Sequence, residues 1–411
     1  MGHLITPDSL EDLLELVKWA NSDFKTLETQ GQGTKRALGR KVETDYLINL
    51  SKFSGIEEYQ PNELVITAKS STPLTKITTE LTKNGQYLSF EPPDFGPLLG
   101  APRGKGTIGG VISCNLAGSR RIKTGPVRDH FLGFKAISGR GENFKSGGKV
   151  VKNVTGFDLS KLIAGSYGTL GIMTEVTLKT LPSPKKTRTI LIRWPKRGFF
   201  DQEGIHSMRI ALNSSHEVSG AAFVQAGASA HSKIDYVRES HKDITAIRVE
   251  GTIASVEHRC RAIKDLLKNF GSLEELHSKN SAMLWSEISN VTLLLDTKNQ
   301  NIWRISTTPS EGAKIVLAII KKYKAQAIYD WGGGLIWLAI KNNDGGSTKM
   351  IRDAIKQTGG HATLFYASQK IDRKSAVFQP QESTLKKLTE RIKNSFDPNH
   401  ILNPGRMYEG F

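Results

Sequence analysis

The chain has 411 residues, of which 38% are hydrophobic, which is ordinary for a globular protein but too long for one core, so two or three domains are expected. Its 57 Lys and Arg against 40 Asp and Glu give a net charge of +17, dominated by lysine and spread along the chain like a solvated surface, which argues against a nucleic-acid partner. Two distant cysteines, Cys114 and Cys260, with no CxxC, are too few for a disulfide framework or for an intrinsic zinc or iron–sulfur site, and they fit a reducing compartment.

The opening MGHLITPDSLEDLLELV predicts a helix to about residue 20, with Thr6 as N-cap, Pro7 in the first turn, and Asp8, Glu11 and Asp12 near the positive end of the dipole. It lacks the form of a signal peptide, and the longest aliphatic run, IVLAII, is far too short to span a bilayer, so no transmembrane segment is expected. A strand at 24–28 leads into TQGQGTKR, followed by strand-like pieces around 42–50 and 63–68. Leu74, Ile77 and Leu81 recur at helical spacing over 73–84, which predicts a helix covering a sheet. Residues 92–106 are rich in Pro and Gly and read as irregular loop. From 115 to 179 short strands such as FLGFKAI and IMTEVTLKTL alternate with short helices such as DLSKLIAGS.

A composition change at 182–184 marks a domain boundary. Strands are expected at 189–194, 219–225, 245–249, 302–307, 326–330 and 334–341, with helices at 204–212, 256–270 and 312–323. That order suggests an α+β domain with an antiparallel sheet. The densest basic run, KKTRTILIRWPKR at 185–197, reads as an edge strand with charged alternation. No internal repeat is visible in the sequence.

A literal GxGxxG falls at Gly104, Gly106 and Gly109, with Asp129 twenty residues beyond the last glycine. A Rossmann fingerprint needs a buried strand leading into its first glycine, whereas the lead-in here is PPDFGPLLGAPR, so the match is a decoy. No GxxxxGK[ST] occurs, which leaves a P-loop unsupported.

The glycine clusters GAPRGKGTIGG, SCNLAGSRR, GPVRDHFLG, KNVTGFDLSKL and GSYGTLGIMTEV suit a dinucleotide laid along the backbone, because glycine permits both close approach and unusual dihedrals. Together with TQGQGTKR and the tail FDPNHILNPGRM, the series resembles the PCMH-type FAD-binding fold of the vanillyl-alcohol oxidase family. Within that family, YDWGGGLIWLAI and GGHATLF resemble the E-type FAD-binding subunits of glycolate oxidase (glycolate dehydrogenase). The likeness implies an α+β fold: a PCMH-type FAD-binding domain of two α+β subdomains over 1–184, an α+β cap with an antiparallel sheet over 185–370, and a C-terminal helix and return segment over 371–411.

On that likeness, Gly31, Gln32, Gly33, Thr34 and Lys35 would receive the pyrophosphate on successive amides. Pro102, Thr107, Ile108, Gly109 and Gly110, then Ser113, Asn115 and Gly118, would line the flavin and its ribityl chain. Gly165, Ser166, Gly168, Leu170, Gly171 and Ile172 would pass the adenine and ribose end, and Asn403 would neighbour the isoalloxazine. Arg128 and Asp129 would pair to position the loop before FLGF. The family's covalent members attach FAD through His or Cys near the first loop; GQGTK offers neither, so a non-covalent FAD is expected. Cys114 reads as a small buried side chain.

Flavin chemistry asks the protein to hold a substrate α-carbon and to manage one proton. For a 2-hydroxy acid that means a cation for the carboxylate and a base for the hydroxyl. His361 in GGHATLF is the candidate base, and Arg406 or Arg103 the candidate cation. The likeness further implies glycolate oxidation to glyoxylate in a complex with a second flavoprotein subunit and an iron–sulfur subunit that passes electrons to quinone. The expected location is cytoplasmic, or peripheral at the inner membrane through those partners. A free-standing FAD-dependent 2-hydroxy-acid dehydrogenase and a non-catalytic basic binding subunit stand as the alternatives.

Overall fold

A computed structural model describes residues 2–149, 156–195, 200–295, 300–341, 346–368 and 377–411. The residues KNVT of the KNVTGFDL cluster, and Lys196 and Arg197 of the basic run, lie outside the described residues. The chain divides into two compact units, one of residues 1–117, 125–183 and 373–411, the other of residues 118–124 and 184–372.

The first unit holds two main sheets. In the smaller, His3–Ile5, Tyr46–Asn49 and Leu27–Gln30 run parallel, with Tyr46–Asn49 in the middle. The larger is antiparallel, in the order Ile56–Gln60, Val65–Lys69, Ile172–Lys179, Phe131–Ile137 and Asn143–Gly147. The helix Leu10–Ser22 buries Leu13, Val17 and Ala20, a one-face spacing, against Leu27 and Ile48 of the small sheet. Ile137 and Ile172 of the large sheet and Ile401 and Leu402 of the tail complete that core. The helix starts later than expected. Ser9, not Thr6, caps it: Ser9 Oγ accepts from the Asp12 amide at 3.0 Å, and Asp12 Oδ2 accepts from the Ser9 amide at 3.1 Å. This reciprocal box satisfies two end amides, which a Thr6 cap could not reach.

The helix Leu74–Lys83 buries the predicted Leu74, Ile77 and Leu81. The decoy reading of GxGxxG holds: a loop, not a strand, precedes the short helix Ile108–Ser113. Arg128 and Asp129 approach only to 4.0 Å, and both are about half exposed, so the expected pair contributes little.

The second unit is built on one eight-stranded antiparallel sheet. Its order is Ser272–His277, Lys186–Arg193, Ile244–Gly251, Gly220–Val224, Ala325–Asp330, Leu335–Lys341, Gln300–Thr307, Gly360–Tyr366. The helices Asp201–Leu212, Ile253–Leu267, Pro309–Ile320 and Gly346–Thr358 cover one face, and their core includes Met208, Ile263, Val316 and Ile351. Chain order resolves this unit into two βαββαβ halves, Lys186–His277 and Gln300–Tyr366, joined where Phe223 and Val224 pair with Tyr329 and Ile328. The repeat that the sequence did not show is therefore present in topology.

One expectation is corrected. The strand Lys186–Arg193 is not an edge: it pairs with Ile244–Gly251 on one side and Ser272–His277 on the other. Its cations are paired locally, Lys186 with Glu257 at 2.5 Å, Arg188 with Glu275 at 3.5 Å and Arg193 with Glu274 at 2.9 Å. Neighbouring acids far away in sequence neutralise what looks like a basic patch.

Residues 118–124 group with the second unit for physical reasons. Arg120 makes a two-pronged ion pair with Glu250 at 2.6 and 2.9 Å. Ser119 Oγ donates to Asp330 at 2.6 Å, and Trp331 Nε1 donates to the Gly118 carbonyl at 3.1 Å.

Candidate functional site

The first unit contains a solvent-open cleft lined largely by backbone and small side chains. Five chain segments meet there: Thr29–Arg36 after the strand Leu27–Gln30, Ser70 and Ser71 after the strand Val65–Lys69, the helix Ile108–Ser113 with Thr107 before it, the turn before the strand Ile172–Lys179, and the tail at Asn403 and Arg406.

The Gly31–Lys35 bend supplies backbone donors. None of its amides donates to another group among the described residues. Gly33 sits at φ +71, in the left-handed region that glycine reaches without strain. A run of free amides around such a residue makes a concave anion cradle.

Close approach is enforced by the other glycines. A Cβ on Gly31 would stand 3.0 Å from both Ser71 Oγ and Thr107 Oγ1, and one on Gly109 only 2.7 Å from the Ser70 carbonyl oxygen. Gly109 is held there by its amide, which donates to that oxygen at 2.7 Å. Gly110 lies under Thr107 Oγ1 and the Lys35 stem. Ser70 Oγ, buried on the cavity wall, has no hydrogen-bond partner, a condition that costs free energy unless a ligand group fills it. The donor set, the glycine floor and this orphaned hydroxyl fit a dinucleotide.

The tail reaches the cavity through Asn403. Its Nδ2 donates to Thr29 Oγ1 at 3.1 Å and to the Gly168 carbonyl at 3.0 Å, while its Oδ1 accepts from the Thr29 amide at 3.3 Å. Asn403 thereby ties two walls together. Behind it, Lys393 of the helix Ser383–Phe396 is buried, donating to Asp397 at 2.5 Å, the Thr169 carbonyl at 2.7 Å and the Leu402 carbonyl at 3.1 Å.

Arg406, a candidate substrate cation by sequence, is committed elsewhere. It donates to Glu28 at 2.5 Å and to the carbonyls of Arg36 and Leu38 at 2.8 and 3.2 Å. Burial alone would raise the Glu28 carboxyl, but the Arg36 hydrogen bond and the Arg406 charge outweigh it and hold the group below its usual range. This knot staples the tail to the first loop, so Arg406 is a structural cation. Arg103 lies on an exposed loop away from the cavity lining.

Of the residues expected from sequence, Gly31, Gln32, Gly33, Thr34 and Lys35 line the cavity, as do Thr107, Gly109, Gly110 and Ser113. So do Gly168, Gly171, Ile172 and Asn403. The others do not. Ile108 and Leu170 turn their apolar side chains into the interior, and Pro102 sits on an exposed turn. Gly165 and Ser166 are held behind the wall by amide bonds to the Ile112 and Ile163 carbonyls. Asn115, at φ +47 with a buried Oδ1 that lacks a partner, packs against Gly165. Gly118 belongs to the second unit. Sequence reasoning missed Ser70, Ser71, Tyr167 and Met173, ordinary residue types with no motif around them.

Cys114 also lines the cavity, and burial pushes its thiol up to about 11 against the pull of Lys35 and Arg406, so it is not a ready nucleophile. Burial lowers the Lys35 ammonium, with Cys114 and Asp94 pulling it partly back. Lys35 lines the cavity beside the free amides, its Nζ lying 3.4 Å from Thr34 Oγ1. Lys35→Met is expected to weaken FAD binding about 10-fold, or about 1.4 kcal/mol. Fluorescence titration of the flavin-free protein measures it, and an unchanged dissociation constant removes Lys35 from the anion cradle.

His361 lies in the second unit, at the start of the strand Gly360–Tyr366. Its side chain is exposed at the strand end, yet the crowded recess around the ring, and then the charges of Arg304, Arg121 and Arg352, keep its pKa below the usual imidazole value. At neutral pH it is therefore a proton acceptor.

Residues 2–147 match the family described as FAD binding domain. The chain is 33% identical to "Glycolate oxidase subunit GlcE" of Escherichia coli (strain K12), over 98% of each chain. It is 24% identical to "D-2-hydroxyglutarate dehydrogenase" of Xanthomonas citri pv. viticola, over 98% of this chain and 88% of that one. A solved structure of p-cresol methylhydroxylase with substrate bound superposes with a TM-score of 0.70 at 13% identity, covering 98% of this chain and 88% of that chain, which bears on the fold alone. No helix among the described residues is long and apolar enough to cross a membrane.

Proposed function

The chain belongs to the GlcE-type glycolate oxidase family of FAD-binding oxidoreductases, and on that premise we propose that it binds FAD without a covalent link in the cavity of its first unit and serves the oxidation of glycolate to glyoxylate. The observation that carries the reading is the run of undonated amides at Gly31–Lys35 facing a glycine floor and the orphaned Ser70 hydroxyl. Bound FAD supplies the two-electron acceptor. The chain's own residues do the rest: the Gly31–Lys35 amides and Lys35 hold the pyrophosphate, and Ile172, Met173 and Leu50 offer the apolar wall for a ring system. His361 takes the hydroxyl proton of the 2-hydroxy acid.

Electrons then leave to a partner. In this reading the chain works beside a second flavoprotein subunit and an iron–sulfur subunit that feeds quinone, in the cytoplasm or at the face of the inner membrane. The free-standing alternative draws support from the dehydrogenase relative, which matches over nearly the whole chain.

Purified protein is expected to be yellow and to release its flavin on acid treatment. Anaerobic rapid mixing with glycolate separates the two readings. Bleaching of the isolated chain supports the free-standing enzyme, and bleaching only with partner subunits supports the complex. Colourless protein that cannot be reconstituted with FAD refutes both.

A further inference from the structure

The Gly31–Lys35 bend is held at both ends by the same short stretch of the tail. At its entrance, the Thr29 amide donates to Asn403 Oδ1 at 3.3 Å, and Asn403 Nδ2 donates to Thr29 Oγ1 at 3.1 Å. At its exit, Arg406 Nη1 donates to the Arg36 and Leu38 carbonyls at 2.8 and 3.2 Å. Two left-handed residues make this reach possible. Asn403 at φ +43 and Gly405 at φ +72 turn the tail back on itself, and the Arg406 amide closes the turn on the Asn403 carbonyl at 3.1 Å. A left-handed asparagine is tolerated, but it persists only where its surroundings fix it. Gly39, just past the bend at φ +78, leaves room for the arginine, since a Cβ there would stand 2.8 Å from Arg406 Cδ.

Glu28 locks the loop and the tail to each other. Its carboxylate accepts from Arg406 Nη2 at 2.5 Å and, from the loop side, from Arg36 Nε and Nη2 at 3.0 and 2.6 Å. The Glu28 side chain is only 6% exposed and does not line the cavity, so any effect it has on a ligand there passes through the two arginines. The tail is braced in turn. The Asn403 amide donates to the Leu27 carbonyl at 2.8 Å, the Leu27 amide to the Ile401 carbonyl at 2.7 Å, and Asp397 accepts from the Ile401 and Leu402 amides at 3.0 and 2.8 Å. None of these bonds uses the amides of the bend, which donate to no group among the described residues.

Holding a run of undonated amides in one shape costs conformational entropy, and a loop fixed in advance does not lose that amount again when its ligand binds. We propose that Asn403, Arg406 and Glu28 are positioning residues for the cofactor: they clamp the bend at both ends, so that docking of the tail and binding of a diphosphate on the Gly31–Lys35 amides reinforce each other. Coupling of this kind is reciprocal. Whatever factor the docked tail adds to cofactor affinity, the bound cofactor adds to the tail's resistance to opening. The clamp rests on the FAD reading above and gives the tail its part in it, with Arg406 acting through the loop.

The test uses full-length protein stripped of flavin, with FAD titrated back and hydrogen exchange read by mass spectrometry. In the wild type, FAD is expected to slow exchange of the amides of residues 401–403 about 10-fold more than exchange in the helix Leu74–Lys83, the reference for opening of the whole unit. Glu28→Gln is expected to weaken FAD binding about 10-fold and to lose that extra protection. Asn403→Gly relieves the left-handed backbone while removing the side-chain bonds to Thr29; it should do the same, and it carries the test if Glu28→Gln folds poorly. A merely structural role would lower the melting temperature without linking tail exchange to FAD. Equal slowing of tail and reference, or wild-type FAD affinity in either folded variant, overturns the clamp and leaves the FAD reading standing. Wild-type protein that binds no FAD overturns both.

Discussion

Gly109→Val is expected to yield protein that purifies without flavin, with FAD affinity lowered about 100-fold or more. The new Cβ would stand 2.7 Å from the Ser70 carbonyl oxygen and 2.9 Å from Ser70 Cβ. Neither can retreat cheaply. The Ser70 oxygen accepts the Gly109 amide at 2.7 Å, and the Ser70 amide donates to the Thr174 carbonyl at 2.9 Å, which anchors the turn to the large sheet. The side chain must therefore push the helix Ile108–Ser113 into the cavity, where Gly110 and Thr107 stand close to Gly31 and Lys35. Overpacking of this kind typically costs about 1–3 kcal/mol, and here the displacement falls on the ligand side, so about 3 kcal/mol of binding is lost. Gly148→Ala is the control: its Cβ would meet nothing within 4 Å, and flavin content should stay at the wild-type level. Absorbance of the purified proteins, with FAD titration of the apo forms, decides the matter. A yellow Gly109→Val protein with ordinary affinity would falsify the glycine floor as the place where cofactor and backbone meet.

The glycine floor was legible because the chemistry demands a residue type that sequence displays openly. Only glycine tolerates both φ +71 at Gly33 and the missing Cβ space at Gly31 and Gly109, so the clusters stand out before any fold is known. Ser70 and Ser71 had no such signature: in AKSSTP they look like an ordinary turn, and only the packing of Gly109 against Ser70 gives them a role. Arg121 and Arg304 are far apart in sequence, and the Trp331 indole, 4.1 and 5.3 Å from their guanidinium carbons, brings them together.

Element types were also readable, since periodicity marks a buried face, as at Leu74, Ile77 and Leu81. Sheet position was not. Alternation in KKTRTILIR is the same for an edge strand and for an inner strand whose charges meet Glu257, Glu274 and Glu275. The doubled βαββαβ topology was hidden because packing constrains residue identity far more loosely than polarity and length.

The largest stability effect is expected at Glu250, whose carboxylate sits between two cations in the second unit. Arg120 grips it from the segment 118–124, and Arg248, itself buried, approaches to 3.6 Å. Burial alone would raise the Glu250 carboxyl, but the Arg248 charge and the Arg120 hydrogen bond and charge outweigh it and bring the pKa from 4.5 down to about 2. A carboxyl depressed in the folded state adds stability above its unfolded value, and that stability fades as pH falls from about 4.5 toward 2. A shift of that size corresponds to about 3 kcal/mol at neutral pH. Glu250→Gln removes the charge and leaves two guanidiniums without their carboxylate, a defect that typically costs about 3–5 kcal/mol. Thermal melting at pH 7 should fall by about 6–20 °C, the scale for a domain of this size. The gap between the two proteins should narrow as the pH falls below about 4.5 and close only near 2, where the folded wild type loses the same charge by protonation. A gap that stays constant from pH 7 to pH 3 would mean that Glu250 acts through shape and hydrogen bonding, not through its charge, and the segment 118–124 would then owe its place to Ser119 and Trp331 instead.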